Sequence, residues 1–206
     1  KIICLGSDIE NINNDYDTET TVFQLALLNK QDKSYWNNPI IGKNYWIDHI
    51  NTGYYIPTIK GYDTAILETH YNQQSMSNEG KPTTGDWISL TISHGKAPQG
   101  RAYQYVILPQ TSKETMERFI KKPTYKVLQQ NSKAHIVQDL NTNTTSYILF
   151  ETPEVLPKGL IQHVDTACLV MVHELGKKET ILTVSNPDLA LYRGAPDEKL
   201  DAQGKR

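Results

Sequence analysis

The chain has 206 residues, 38% hydrophobic and 21% charged, with 12 Gly and 10 Pro, an ordinary globular composition that suits one large β-domain or two small ones. A formal net charge of −2 excludes a global basic field, so an acidic partner would have to meet positive charge gathered locally. No apolar run approaches the ~18 residues of a membrane span, and no leader precedes the first apolar segment.

In chain order, residues 1 to 9 read as a strand, the polar ENINNDY from Glu10 to Tyr16 as a turn, and Thr18 to Leu28 as a second strand rich in β-branched and aromatic residues. An aromatic-dense meander follows from Lys30 to Ile59, where Lys33-Ser34-Tyr35-Trp36 and Lys43-Asn44-Tyr45-Trp46 echo each other. Within it, Trp46 to Ile56 has the pattern of a hairpin with Asn51 and Gly53 at its tip. Thr64 to His70 is a further strand, and the polar stretch Asn72 to Thr84 reads as a surface loop. Trp87 to His94 and Ala102 to Leu108 both alternate with period two, and the two glycines and proline between them predict a hairpin. Ile88, Leu90 and Ile92 should be core, against either Val106 and Leu108 or Tyr105 and Ile107.

After Pro109 the period changes. Thr111-Ser112-Lys113-Glu114 resembles a capping box, and Met116, Phe119 and Ile120 lie at helical spacing, which predicts a helix over 111–121 ending before Pro123. Short strands follow at 125–128, 134–140, 146–151, 167–174 and 180–185, separated by turns rich in Asn, Gly and Pro. The fold class is therefore all-β: an antiparallel β-sandwich, one short helix, then a smaller sandwich, with a boundary near Pro123. Because the chain opens inside an apolar run without methionine and trails into a polar tail from Asp197, it reads as a piece of a longer polypeptide.

Motifs for chemistry are sparse. The six histidines form no HxH or HExxH pattern, and Cys4 and Cys168 are far apart, each in an apolar run that suits a buried free thiol. No nucleophile elbow, P-loop or dinucleotide fingerprint is present, and no basic run points to nucleic acid. Glu19 is an isolated carboxylate beside two threonines, better read as a strand-edge group than as a catalytic acid. By themselves these residues read as a soluble β-sandwich protein. Trp36 and Trp46 could stack on sugar faces while Lys33, Lys43 and Lys96 meet sulfate or carboxylate, with His94 at the strand-to-turn junction. Filling of a sandwich core is the plainer use of the same rings. The candidate substrate-binding residues are Trp36, Trp46, His94 and Lys96.

Two segments carry a family resemblance. His94-Gly95-Lys96-Ala97-Pro98 followed by Ala102-Tyr103-Gln104-Tyr105-Val106-Ile107-Leu108-Pro109, and Leu5-Gly6-Ser7-Asp8-Ile9 followed by Glu19-Thr20-Thr21, resemble the β-domain of family-8 polysaccharide lyases, in the chondroitin-sulfate branch. Asn186-Pro187-Asp188 is similar to a turn in the C-terminal domain of those enzymes. The resemblance implies that residues 1–122 end the central sandwich and residues 123–206 begin a truncated C-terminal one. It implies β-elimination at uronic acid in chondroitin or dermatan sulfate or hyaluronan, in a periplasmic or secreted bacterial protein. By the same resemblance the catalytic His, Tyr and Arg belong to a preceding α-helical domain, so no catalytic residue, no metal site and no cofactor is assigned here, and a divalent cation in the parent stays open. The alternative is a non-catalytic carbohydrate-binding or structural sandwich module.

Overall fold

A computed structural model describes residues 1–27, 44–48, 50–59, 65–76, 82–152, 155–176 and 178–187. Alternation in the sequence becomes three antiparallel sheets. The first is built from β1 (Ile2–Ile9), β7 (Arg101–Leu108), β4 (Gly53–Tyr55) and β3 (Tyr45–Ile47), hydrogen-bonded in that order. The second places β6 (Pro82–Lys96) between β2 (Asp17–Leu27) and β5 (Ala65–Met76). The third is a meander in which β8 (Tyr125–Gln130), β9 (Ala134–Asp139), β10 (Thr144–Leu149), β11 (Cys168–Glu174) and β12 (Thr180–Ser185) lie side by side in sequence order.

The first two sheets face each other. Val22 and Phe23 of β2 and Ile88, Leu90 and Ile92 of β6 pack with Trp46, Tyr54 and Ile56, and Tyr103, Tyr105 and Ile107 of β7 close the cluster. The Tyr105/Ile107 face thus points at this core. Val106, on the opposite face, is also fully buried, because the outer side of the first sheet is covered in turn.

Two expectations are corrected by this arrangement. β6 and β7 are not a hairpin: β6 pairs with β2 and β5, and β7 with β1 and β4. Alternation tells which residues face inward but not which strand is the neighbour. The chain crosses between layers over Gly95, Ala97 and Gly100, whose φ values are 77°, 43° and 58°. The β1–β2 connection crosses beside it, held by Asn11 N–H to Pro98 O at 3.0 Å and Ala97 N–H to Asn13 O at 2.9 Å. The second correction concerns the polar stretch 72–84. β5 extends to Met76 and β6 begins at Pro82, paired Met76 with Pro82, since a ladder needs backbone donors and acceptors and not apolar side chains.

The hairpin at 46–56 is present. Its tip is organised by Asp48, whose Oδ1 accepts from Ile50 N–H at 3.0 Å and Thr52 N–H at 2.7 Å, with Asn51 at φ 62°. The helix α1 (Lys113–Lys121) is capped by Ser112 Oγ, which accepts from Thr115 N–H at 3.3 Å. The cap therefore lies one residue later than a box beginning at Thr111 requires.

In the third sheet, Ala134, Ile136, Tyr147, Leu149, Cys168, Val170 and Val172 form a separate core, covered by Leu156, Ile161 and Val164. β9 is buried on both faces. Ile136 looks into this core, while His135 Nε2 lies 2.8 Å from Ser7 Oγ of β1. Gln130 adds to the seam: its amide donates to Gly6 O at 2.7 Å and Tyr103 O at 3.0 Å, and it accepts from Gln104 Nε2 at 2.7 Å. Cys4 and Cys168 are both free thiols. No helix among the described residues is long and apolar enough to cross a membrane.

Candidate functional site

The residues singled out by sequence do not converge. Trp46 belongs to the first core, with 9% of its surface exposed, and its indole Nε1 is buried with no hydrogen-bond partner among the described residues. That leaves little ring face for a sugar: the aromatic-rich hairpin fills the sandwich. His94 is 5% exposed. Its Nε2 lies 2.8 Å from Thr20 Oγ1, its ring centroid is 6.2 Å from that of Tyr103, and burial lowers its pKa. Such a histidine is neutral and ties β6 to β2 rather than facing solvent. Lys96 is exposed at the end of β6, paired with Asp17 of β2. Trp36, with Lys33 and Lys43, lies outside the described residues. Among the described residues no group of three or more His, Cys, Asp or Glu is placed to hold a metal.

The segments that carried the resemblance turn out to hold the layers together. A Cβ on Gly6 would come within 2.2 Å of the Tyr103 ring, so only glycine lets Tyr103 lie across β1 and stack on Tyr105 at a centroid distance of 5.7 Å. Burial, reinforced by the neighbouring Cys4 thiol, raises the Tyr105 hydroxyl pKa. Ser7 meets His135 and Thr20 meets His94.

A different place gathers chemistry. α1 is seated on the first sheet at Gly53, where a Cβ would meet Met116 Sδ and Thr111 Cγ2, each at 2.7 Å, and Met116 is fully buried. Thr111 N–H donates to Asn51 O at 2.7 Å, fixing the helix start. Further along, Phe119 meets Tyr55 edge-on and stacks on Tyr125 of β8, each at 6.0 Å. The helix is thereby clamped between two sheets, and a groove of about 640 Å3 opens alongside it.

Leu108 and Phe119 give the groove apolar walls, Thr115, Thr124 and Asn141 give neutral polar groups, and Lys1, Arg118, Lys121 and Lys122 give four cations. None of these lining residues is a carboxylate. Lys1 Nζ is held by Asp139 Oδ2 at 2.8 Å and Thr124 Oγ1 at 3.0 Å. Burial pushes the Asp139 carboxyl up, but hydrogen bonds from Lys1 and Asn141 N–H, with the Lys1 charge and Thr142 N–H, outweigh it and hold the group below its ordinary range. Arg118 Nη2 donates to Thr115 Oγ1 at 3.1 Å. Lys121 and Lys122 are exposed and form no ion pair among the described residues. In sequence only the adjacent pair Lys121-Lys122 hinted at this site. Lys1 reaches it because β1 pairs with β7.

Comparison with known proteins places the chain. It is 52% identical over 207 residues to a chondroitin sulfate ABC exolyase of Bacteroides thetaiotaomicron, covering 100% of this chain and 20% of that protein. A chondroitin sulfate ABC exolyase of Proteus vulgaris is 28% identical over 222 residues, covering 100% of this chain and 21% of that protein. The chain thus spans about a fifth of the length of these curated relatives. In fold it is similar to the chondroitin AC lyase of Streptomyces coelicolor A3, with TM-score 0.68, 19% identity, and coverage of 90% of this chain and 24% of that one. A Paenibacillus xanthan lyase is similar too, with TM-score 0.65, 21% identity, and coverage of 84% and 19%. Residues 1–120 match the model of the polysaccharide lyase family 8 super-sandwich domain, and the chain belongs to polysaccharide lyase family 8.

Proposed function

We propose that this chain is the β-sandwich portion of a glycosaminoglycan lyase that cleaves chondroitin or dermatan sulfate, or hyaluronan, by β-elimination. The observation that carries the reading is the 52% identity to a chondroitin sulfate ABC exolyase across the entire chain. On this reading residues 1–122 end the central sandwich and residues 123–206 begin a C-terminal one. The exposed Leu182 and Val184 of β12, paired with buried Val172 and Val170, support a last layer that is incomplete by itself. An acidic polymer does not cross a bilayer unaided, which supports a secreted or periplasmic site of action.

In the reaction a base takes the proton α to the uronate carboxylate. The electron pair closes a carbon–carbon double bond, the glycosidic carbon–oxygen bond breaks, and the leaving oxygen takes a proton. His94 and His135 are buried neutral groups occupied by Thr20 and Ser7, so neither meets a uronate in this chain. A preceding α-helical domain supplies the base, the acid and the group that neutralises the carboxylate. Trp36 and Lys96 are the substrate contacts we retain from the sequence, while Trp46 and His94 are buried and serve packing.

The test incubates this 206-residue chain and the intact polypeptide separately with chondroitin sulfate, dermatan sulfate and hyaluronan, following ultraviolet absorbance of the unsaturated uronate. Product is expected from the intact polypeptide alone. Product from the chain alone would overturn the assignment of the chemistry to another domain, and none from the intact polypeptide on any of the three would overturn the lyase reading.

A further inference from the structure

Resting on that reading, we infer that the cationic groove beside α1 is a binding site for a carboxylate- and sulfate-bearing stretch of the polysaccharide. The chain as a whole carries a net charge of −2, so a polyanion gains nothing from its overall field. The groove is the exception, with Lys1, Arg118, Lys121 and Lys122 around one space of about 640 Å3 and no carboxylate among its lining residues.

Three ordinary uses of these cations are insufficient to account for them. Asp139 neutralises Lys1, at 2.8 Å. The C-terminal end of α1 carries roughly half a negative charge from its aligned peptide dipoles, which offsets part of one further cation. Arg118 also faces the charge of Glu114 one turn back on α1, and Lys121 and Lys122 by themselves exceed the dipole offset by more than one charge. Arg118 is oriented by its hydrogen bond to Thr115, so one of the cations not held by Asp139 is already positioned before any ligand arrives. The groove surface itself is mostly apolar, with Leu108 and Phe119 as its walls, which suits the apolar face of a sugar ring while its acidic groups meet the cations at the rim. Lysine and arginine recognise carboxylate and sulfate by charge-assisted hydrogen bonds. A site of this kind holds a neighbouring stretch of the same polymer and raises its local concentration without touching the scissile bond.

The test measures binding of the 206-residue chain to a fluorescein-labelled chondroitin sulfate oligosaccharide by anisotropy at low and at physiological salt. The double variant K121A/K122A should bind about tenfold more weakly and show a shallower salt dependence. The double variant K126A/K133A removes the same charge from exposed positions on and after β8 and should bind as the unaltered chain does. Circular dichroism and the thermal midpoint should be unchanged in both. Equal losses in the two variants, or no loss in the first, would overturn the groove as the site. In the intact polypeptide, unsaturated product with unaltered oligosaccharide binding by K121A/K122A would overturn this inference alone. Absence of product would instead strike the lyase reading.

Discussion

Replacing Leu90 with alanine tests the sandwich at its centre. Leu90 is 0% exposed and lies on the middle strand of the second sheet, opposite Phe23 of β2 and Leu67 of β5. Around it are Phe23, Ile88, Ile92, Trp46 and Tyr54. Large-to-small changes in a core cost about 2–5 kcal/mol, more where the surroundings cannot collapse. β6 is held by ladders on both sides and faces the first sheet across the core, so little relaxation is open and about 3–4 kcal/mol is the expected loss. For a chain of this size that lowers the thermal midpoint by roughly 6–16 °C. Tryptophan fluorescence follows the transition, since Trp46 shares the core, and urea titration gives the free energy from the midpoint and slope. A loss below about 0.5 kcal/mol, the scale of an exposed position, would refute the packing of these two sheets.

Four further outcomes are expected. Gly53→Ala drives a methyl against Met116 and Thr111 and should cost about 1–3 kcal/mol while weakening oligosaccharide binding by displacing α1; unchanged stability and binding would show that the helix seat tolerates a side chain. Ser112→Ala removes the helix cap and should cost about 1 kcal/mol, read by urea titration, with Ser112→Asp restoring most of it. Burial holds the pKa values of His94 and His135 below 6.5, so the unfolded chain binds more protons as pH falls through about 6.5. Stability is then full above that pH and declines below it; the urea midpoint should be lower at pH 5.5 than at pH 7.5, and His135→Gln should flatten the difference. Gly6→Ala must displace the Tyr103 ring and should lower the thermal midpoint, whereas Gly85→Ala, where a Cβ meets nothing closer than 3.8 Å, should cost much less.

Sequence alone determined the strand character of most described segments, the helix after Pro109, the inward row Ile88, Leu90 and Ile92, and the family. A period of two sorts inward from outward residues whatever lies across the ladder. Thr and Ser ahead of a helical apolar spacing mark a helix start wherever it packs, although the cap itself is Ser112 and not Thr111. The family segments were legible because their residues answer fixed demands of this fold: Gly6 leaves space for Tyr103 of the neighbouring strand, and Gly95 adopts a φ of 77°. Tertiary structure decided the rest. Neighbouring strands β6 and β7 joined different sheets, a choice made by how their apolar rows meet across the core and not by either row. Trp46 went to the core, because stacking on sugar and packing on a leucine ask for the same ring. The groove came together only when β1 brought Lys1 beside α1: charges at positions 1, 118, 121 and 122 become one electrostatic feature through distance in space, which separation along the chain does not encode.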